Sequence, residues 1–241
     1  MNIRNNIALL FALLGLVLSY TNGQFRIIDG EVTDVKRRAH SAAIFQTGLY
    51  ICFGSIVACK LVVTAAHCVK GGQRRYVWDV HYYCEDNPET QFMNIAILQL
   101  TEPFKLNGAV QVIELCNDRL VPGSWMVIIG WDHVKKVPPS HLLKTKLVEI
   151  KKCENENKNL SIPENLAEIT VYAGPQGDMW FGDSGAAGVM NERLCAVAQG
   201  RSRVASDPGI YLDLTNEKVR NFITTTMHNV ELNTEVISDS E

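Results

Sequence analysis

The sequence predicts an all-β protein finished by a single C-terminal helix. Two observations lead there. Short β-branched and aromatic runs recur between polar or Gly/Pro turns along most of the chain, the mark of a sandwich or barrel, and only one stretch, near the end, carries a helical apolar period. In chain order the strand-like runs cover residues 42–45, 56–65, 76–84, 95–100, 125–129, 146–150, 195–199 and 209–212. The helix is expected over 216–228, where Val219, Phe222, Ile223 and Met227 form one apolar face that can dock on a barrel. The tail 231–241 is acidic and poor in apolar residues, so it is expected to fray.

The N-terminus does not belong to this body. An apolar run over residues 7–18 follows Arg4 and closes on the small or polar residues Ser19 to Gly23, the composition of a secretory signal peptide covering 1–23. A spanning helix needs roughly twenty apolar residues, and no later stretch supplies them, so a secreted, extracellular protein without a membrane partner is expected. About 218 of the 241 residues then remain, enough for one large core, and no repeat or low-complexity linker divides them. A formal net charge of -3 with charges scattered along the chain argues against a nucleic-acid partner, which calls for a basic stripe.

All seven cysteines lie beyond the leader, in a chain bound for an oxidising compartment, and an odd count leaves at least one thiol free or paired with another chain. No C-x-x-C or paired-histidine spacing occurs, so no structural zinc is expected. Asn159-Leu160-Ser161 is the single glycosylation sequon.

Two segments carry chemistry. Thr64-Ala65-Ala66-His67-Cys68 ends a strand-like run, and Gly182-Asp183-Ser184-Gly185 follows with Ser184 117 residues after His67. Further matches are Cys52 with Cys68, Arg26-Ile27-Ile28-Asp29-Gly30, Asn94-Ile95-Ala96-Ile97-Leu98, Ile129-Gly130-Trp131 and Gly209-Ile210-Tyr211. With these, residues 26 to 228 resemble the chymotrypsin/trypsin-like serine proteases. The resemblance implies two antiparallel Greek-key β-barrels, chymotrypsin-like, with the active site in the cleft between them. It implies no cofactor and no metal, and a protein or peptide as substrate or ligand.

By that resemblance Ser184 is the nucleophile, His67 the base that takes its proton, and the backbone N–H groups of Gly182 and Ser184 form the oxyanion hole. The family's third member is an aspartate that orients the histidine. Here the matching position holds Asn94, whose amide lacks the charge and whose NH₂ can donate to the nitrogen that should itself donate. In this enzyme class that replacement lowers turnover about 10⁴-fold. Asp86, the nearest upstream aspartate, lies eight residues away in a polar turn and is a poor substitute. Ala198 stands where the family usually has a serine that helps hold the aspartate.

Asp178, six residues before Ser184, matches the base of a pocket that pairs with Arg or Lys, and Gly200 and Gly209 resemble the small residues at its entrance. Met179, Trp180 and Gln199 depart from the family there and reshape the pocket wall. Cleavage after Arg26 by an activating trypsin-like protease would free the Ile27 ammonium to pair with Asp183, so 24–26 reads as a short propeptide and 27–241 as the protease domain. The Cys52–Cys68 pair matches the histidine-loop disulfide. Met126 and Met190 occupy both ends of another usual bridge and are expected to pack together instead. Cys153 has lost its family partner, and Cys59, Cys84, Cys116 and Cys195 have no family pairing. Only 27 residues separate His67 from Asn94, where the family has forty or more. The missing segment includes a calcium loop of some relatives, so no calcium is expected, and a strand of the first barrel is expected to be affected.

Three functions compete on these residues: a catalytically impaired homologue that binds protein or regulates proteolysis, an active endopeptidase cleaving after Arg or Lys, and a decoy that captures substrates or inhibitors without turnover.

Overall fold

The computed structural model describes residues 30–70, 76–83, 93–131, 142–151, 170–173, 183–201 and 209–238. Twelve strands and one long helix make up these segments. In the N-terminal half, β2 (Ser41–Gln46), β3 (Leu49–Ala58), β4 (Leu61–Thr64), β5 (Val77–Tyr82) and β6 (Ala96–Leu100) form an antiparallel sheet in the order β2-β3-β4-β6-β5. In the C-terminal half, β7 (Trp125–Trp131), β8 (Leu142–Lys151), β9 (Thr170–Ala173), β10 (Ala187–Met190), β11 (Arg193–Arg201) and β12 (Gly209–Asp213) run in the order β8-β7-β10-β11-β12-β9. Pairing of β8 with β9 closes those six into a barrel, and β1 (Glu31–Asp34) adds to the outside of β8. The expectation of an all-β body with a C-terminal helix is met; the second half closes as one of the two expected barrels, and among the described residues the first half pairs as a five-stranded sheet.

The segment 56–65, read as one strand, is parts of two. β3 and β4 meet antiparallel across the turn at Cys59 and Lys60. Alternation could not mark that turn, because the sheet is apolar on both faces. Ile56, Val62, Ala96 and Leu98 fill the inside of the first sheet. Their neighbours Val57, Leu61, Val63, Ile95 and Ile97 face the other way and join the main core with Ile128, Ile129 and Val197 of the second barrel. Continuous apolar runs are what such double burial requires. The β2–β3 hairpin turns at Thr47 and Gly48, both at positive φ (50° and 82°), the geometry of a two-residue turn compatible with strand twist.

Strand β10 escaped the sequence reading because it is Ala-Gly-Val-Met. Its Gly188 has no room for a side chain: a Cβ there would lie 2.9 Å from both Met126 Sδ and Ala196 Cβ. Met126 is buried in the main core and the half-buried Met190 packs against that core.

The helix, α1 (Glu217–Ser238), begins where expected, with Asn216 Oδ1 accepting the Lys218 N–H at 3.0 Å. It runs ten residues past its expected end at 228, through the tail that was expected to fray. The apolar face continues with Val230, which is buried beside Val219 and Ile223. Phe222 meets Tyr83 edge to face at 5.3 Å, so the helix also touches the first sheet. Among the described residues no helix is long and apolar enough to cross a membrane.

Candidate active site

Strand register brings the first pair of site residues together. Thr64 pairs with Ala96 at the end of β4. The chain then enters a short 3₁₀ turn, Ala66–Cys68, that carries His67, while Asn94 lies two residues before Ala96 on the opposing chain. The Cys52–Cys68 disulfide fastens that turn to β3, as the resemblance implied.

Asn94 Oδ1 accepts the backbone N–H of His67 at 2.8 Å. A backbone N–H can only donate, so this bond orients the carboxamide. Its nitrogen, Nδ2, then lies 2.7 Å from His67 Nδ1, closer than Oδ1 at 3.0 Å. An amide NH₂ is donor only, so Nδ1 must accept and the neutral ring carries its proton on Nε2. Nε2 lies 3.8 Å from Cys68 Sγ. Cys52, His67 and Cys68 are the one group of potential metal ligands among the described residues, and both of its sulfurs are committed to the disulfide.

Ser184 sits on a turn that β3, β4 and β11 hold from three sides. Its carbonyl accepts the Phe53 N–H at 2.9 Å, the Gly185 N–H donates to Ala198 O at 2.8 Å, and the Ala186 N–H closes the turn on Asp183 O at 2.9 Å. Gly185 has φ +82°, and a Cβ on it would lie 1.9 Å from Phe53 O and 2.5 Å from Thr64 Oγ1. Only glycine fits there. Thr64 Oγ1 itself donates to Phe53 O at 2.7 Å. Residues 52 and 53 thus serve both halves of the site, Cys52 through its bond beside His67 and Phe53 through its bond to Ser184. Among the described residues, the bonds of His67 run to Asn94 and Cys68 and those of the Ser184 turn to Phe53 and Ala198.

Asp183 is buried, 1% exposed, next to Ser184. Ala198 is fully buried between Gly185 and Ala186, bonding both through its backbone. Gly200 has φ +128° and open space where a Cβ would project, and the buried Gly209 pairs with Ala173 and Arg201. Gln199 forms a bulge between Ala198 and Gly200, with Nε2 donating to Val197 O at 3.0 Å. Arg26, Ile27, Asp86, Asp178, Met179, Trp180 and Gly182 lie outside the described residues, as do Cys84 and Cys153.

Sequence reasoning left two features unassigned. Cys116 and Cys195, 79 residues apart, form a second disulfide, and Cys59 is an exposed free thiol. No spacing signal announces the disulfide, because tertiary contacts, the parallel bridge Leu115–Leu194 and the Arg193–Glu114 ion pair, bring the two segments together. The second feature is His40, buried with Nε2 unpaired. Burial and the neighbouring Arg38 guanidinium push its pKa down to about 4, against a smaller opposing pull from Glu192. Arg38 Nη1 meets Glu192 Oε2 at 3.0 Å, tying this N-terminal segment to the β10–β11 turn.

A family model described as Trypsin matches residues 27–223. The vitellin-degrading protease of Bombyx mori is 25% identical over 236 residues, covering 86% of this chain and 89% of its own. Kallikrein-11 of Homo sapiens is 25% identical over 234 residues, covering 83% of this chain and 80% of its own. Among solved structures, the scabies mite inactivated protease paralogue S-I1 superposes with a TM-score of 0.70 at 23% identity, over 83% of this chain and 99% of that one. That last likeness concerns the fold.

Proposed function

Because the chain belongs to the trypsin family, we propose that it is a secreted protease homologue, made as a zymogen, that binds protein or regulates proteolysis and no longer cleaves efficiently. The observation that carries this reading is the contact of Asn94 Nδ2 with His67 Nδ1 at 2.7 Å. A base must present a lone pair to the serine hydroxyl. A ring that accepts at Nδ1 has its proton on Nε2 and presents none there. Asn94 therefore stands in place of the triad aspartate, and a ring that did take up the proton would have no carboxylate to stabilise it. Ala198, without the hydroxyl that would support such a carboxylate, agrees with this reading.

The rest of the machinery is assigned on the family pattern. Residues 1–23 are a signal peptide, 24–26 a propeptide and 27–241 the protease domain. A trypsin-like protease cleaves after Arg26, and the Ile27 ammonium pairs with Asp183, whose burial suits a carboxylate stabilised by a cation. Ser184 and the N–H groups of Gly182 and Ser184 complete the cleft. Asp178 forms the floor of a pocket for Arg or Lys between Gly200 and Gly209. The ligand is a protein or peptide, as the family implies.

A second reading, an active endopeptidase cleaving after Arg or Lys, draws support from the Ser184 turn, whose backbone bonds and Gly185 are all in place. The experiment that separates the two cleaves the purified chain after Arg26 and follows hydrolysis of an Arg-containing peptide by it and by Asn94→Asp and Ser184→Ala. Strong turnover only in Asn94→Asp is the expected result, with a gain of up to about 10⁴-fold. Ordinary trypsin-like turnover by the natural chain, lost in Ser184→Ala, overturns the impaired reading.

A further inference from the structure

We propose that Phe53 is the positioning residue of the Ser184 turn, and that its ring, seated on Trp131, ties that turn to the exposed β2–β3 hairpin. Three contacts converge on the Phe53 backbone. Its N–H donates to Ser184 O at 2.9 Å, its carbonyl accepts from Thr64 Oγ1 at 2.7 Å, and the same carbonyl lies so close to Gly185 that a Cβ there would approach to 1.9 Å. The two peptide groups that flank the Phe53 Cα therefore set where the Ser184 turn sits.

A backbone held this way must itself be anchored, and the side chain supplies the anchor. Phe53 is fully buried and its ring centroid lies 4.8 Å from that of Trp131. Trp131 in turn meets Tyr50 at 6.2 Å, and Tyr50 meets Phe45 at 5.9 Å, both edge to face. Edge-to-face rings resist rotation because each positive edge addresses a negative face. The row starts at Phe45, 45% exposed on the hairpin, and ends one peptide from Ser184.

The chemical consequence rests on the reading of Ser184 as the nucleophile; the positioning itself does not. The test therefore uses two measurements on activated Asn94→Asp protein, carrying in turn Phe53→Leu, Trp131→Leu and Trp131→Phe. The first is amide hydrogen exchange. Phe53→Leu and Trp131→Leu should speed exchange at Gly185 and Ala186 by at least about tenfold while the β4–β6 amides of Val63 and Ile97 stay within about twofold, and Trp131→Phe, which keeps a ring against Phe53, should restore slow exchange.

The second measurement is the rate of labelling by a fluorophosphonate, in which Ser184 Oγ displaces fluoride from phosphorus and His67 takes the hydroxyl proton. The two leucine variants should lose about tenfold in the rate of bond formation with probe binding changed less than about twofold, a split that a general loss of stability does not produce. Unchanged exchange at Gly185 and Ala186 in both leucine variants overturns the proposal, and so does acceleration spread evenly over Val63 and Ile97. Local acceleration in a protein whose Asn94→Asp parent never labels supports the positioning and places the failure in the nucleophile assignment.

Discussion

Asn94 Oδ1 accepts the backbone N–H of His67 at 2.8 Å, and that bond decides which carboxamide atom faces the imidazole. The main chain acts as a reference donor. With the oxygen committed to it, the NH₂ is left 2.7 Å from Nδ1.

The ring tautomer follows directly. In the neutral imidazole of His67, nitrogen-15 NMR should find the proton on Nε2 in the natural chain and on Nδ1 in Asn94→Asp, because a carboxylate accepts where the amide donates. A proton already on Nδ1 in the natural chain would contradict the amide orientation.

Gly185 admits no other residue. Gly185→Ala forces φ +82° on an L side chain and drives its Cβ to 1.9 Å from Phe53 O. The left-handed backbone alone costs about 1–2 kcal/mol, and the overlap with a backbone oxygen adds to it. Urea unfolding should show a loss of at least about 2 kcal/mol, whereas Gly48→Ala, with open space around its Cβ, should lose only the backbone part.

Acid should weaken the protein through His40. Its pKa is lowered to about 4 in the fold by burial and by Arg38, so at intermediate pH the unfolded chain binds the proton more readily than the folded one. Stability is then full above the ordinary histidine range near 6.5 and falls as the pH drops toward 4, by about 3 kcal/mol in all. Carboxylates titrate over part of the same range, so the readout is the difference from His40→Phe. The urea midpoint of the natural chain should drop more steeply between about pH 7 and pH 4.5 than that of the variant; parallel slopes would refute the assignment.

The disulfide that no sequence signal announced should matter for stability. Cys116 and Cys195 close a loop with a sequence separation of 79. Chain entropy assigns such a closure about 4.5 kcal/mol. Cys116→Ala with Cys195→Ala should therefore lower the thermal midpoint substantially. A midpoint unchanged by the double variant would mean that the Leu115–Leu194 bridge and the Arg193–Glu114 ion pair hold the segment unaided.

Much of the fold was legible wherever burial was one-sided or chemistry was local. The helix start could be read at Asn216, and the runs 42–45, 95–100 and 125–129 fall on β2, β6 and β7. The boundary between β3 and β4 could not, because Val62 faces one core and Leu61 and Val63 the other, leaving no alternation to interrupt. The helix outran its expected end because Val230 renews the apolar face one turn beyond the last residue of the pattern. Phe53 drew no notice in the sequence, since nothing in an apolar residue beside Cys52 reveals that its backbone will hold Ser184.

By itself the sequence determined which groups this protein can bring to a cleft: His67, Ser184, an amide at Asn94, and the cysteines that staple the histidine turn. Residue identity settles charge and donor capacity before any folding occurs. Only the tertiary structure decided how those groups face one another, from the orientation of the Asn94 amide to the closure of Cys116 on Cys195 and the seating of Phe53 against Ser184 and Trp131. Those outcomes depend on contacts between segments 27, 79 and 131 residues apart. Such contacts leave no periodic trace in the chain, because they are selected by strand register and packing and not by neighbours in sequence.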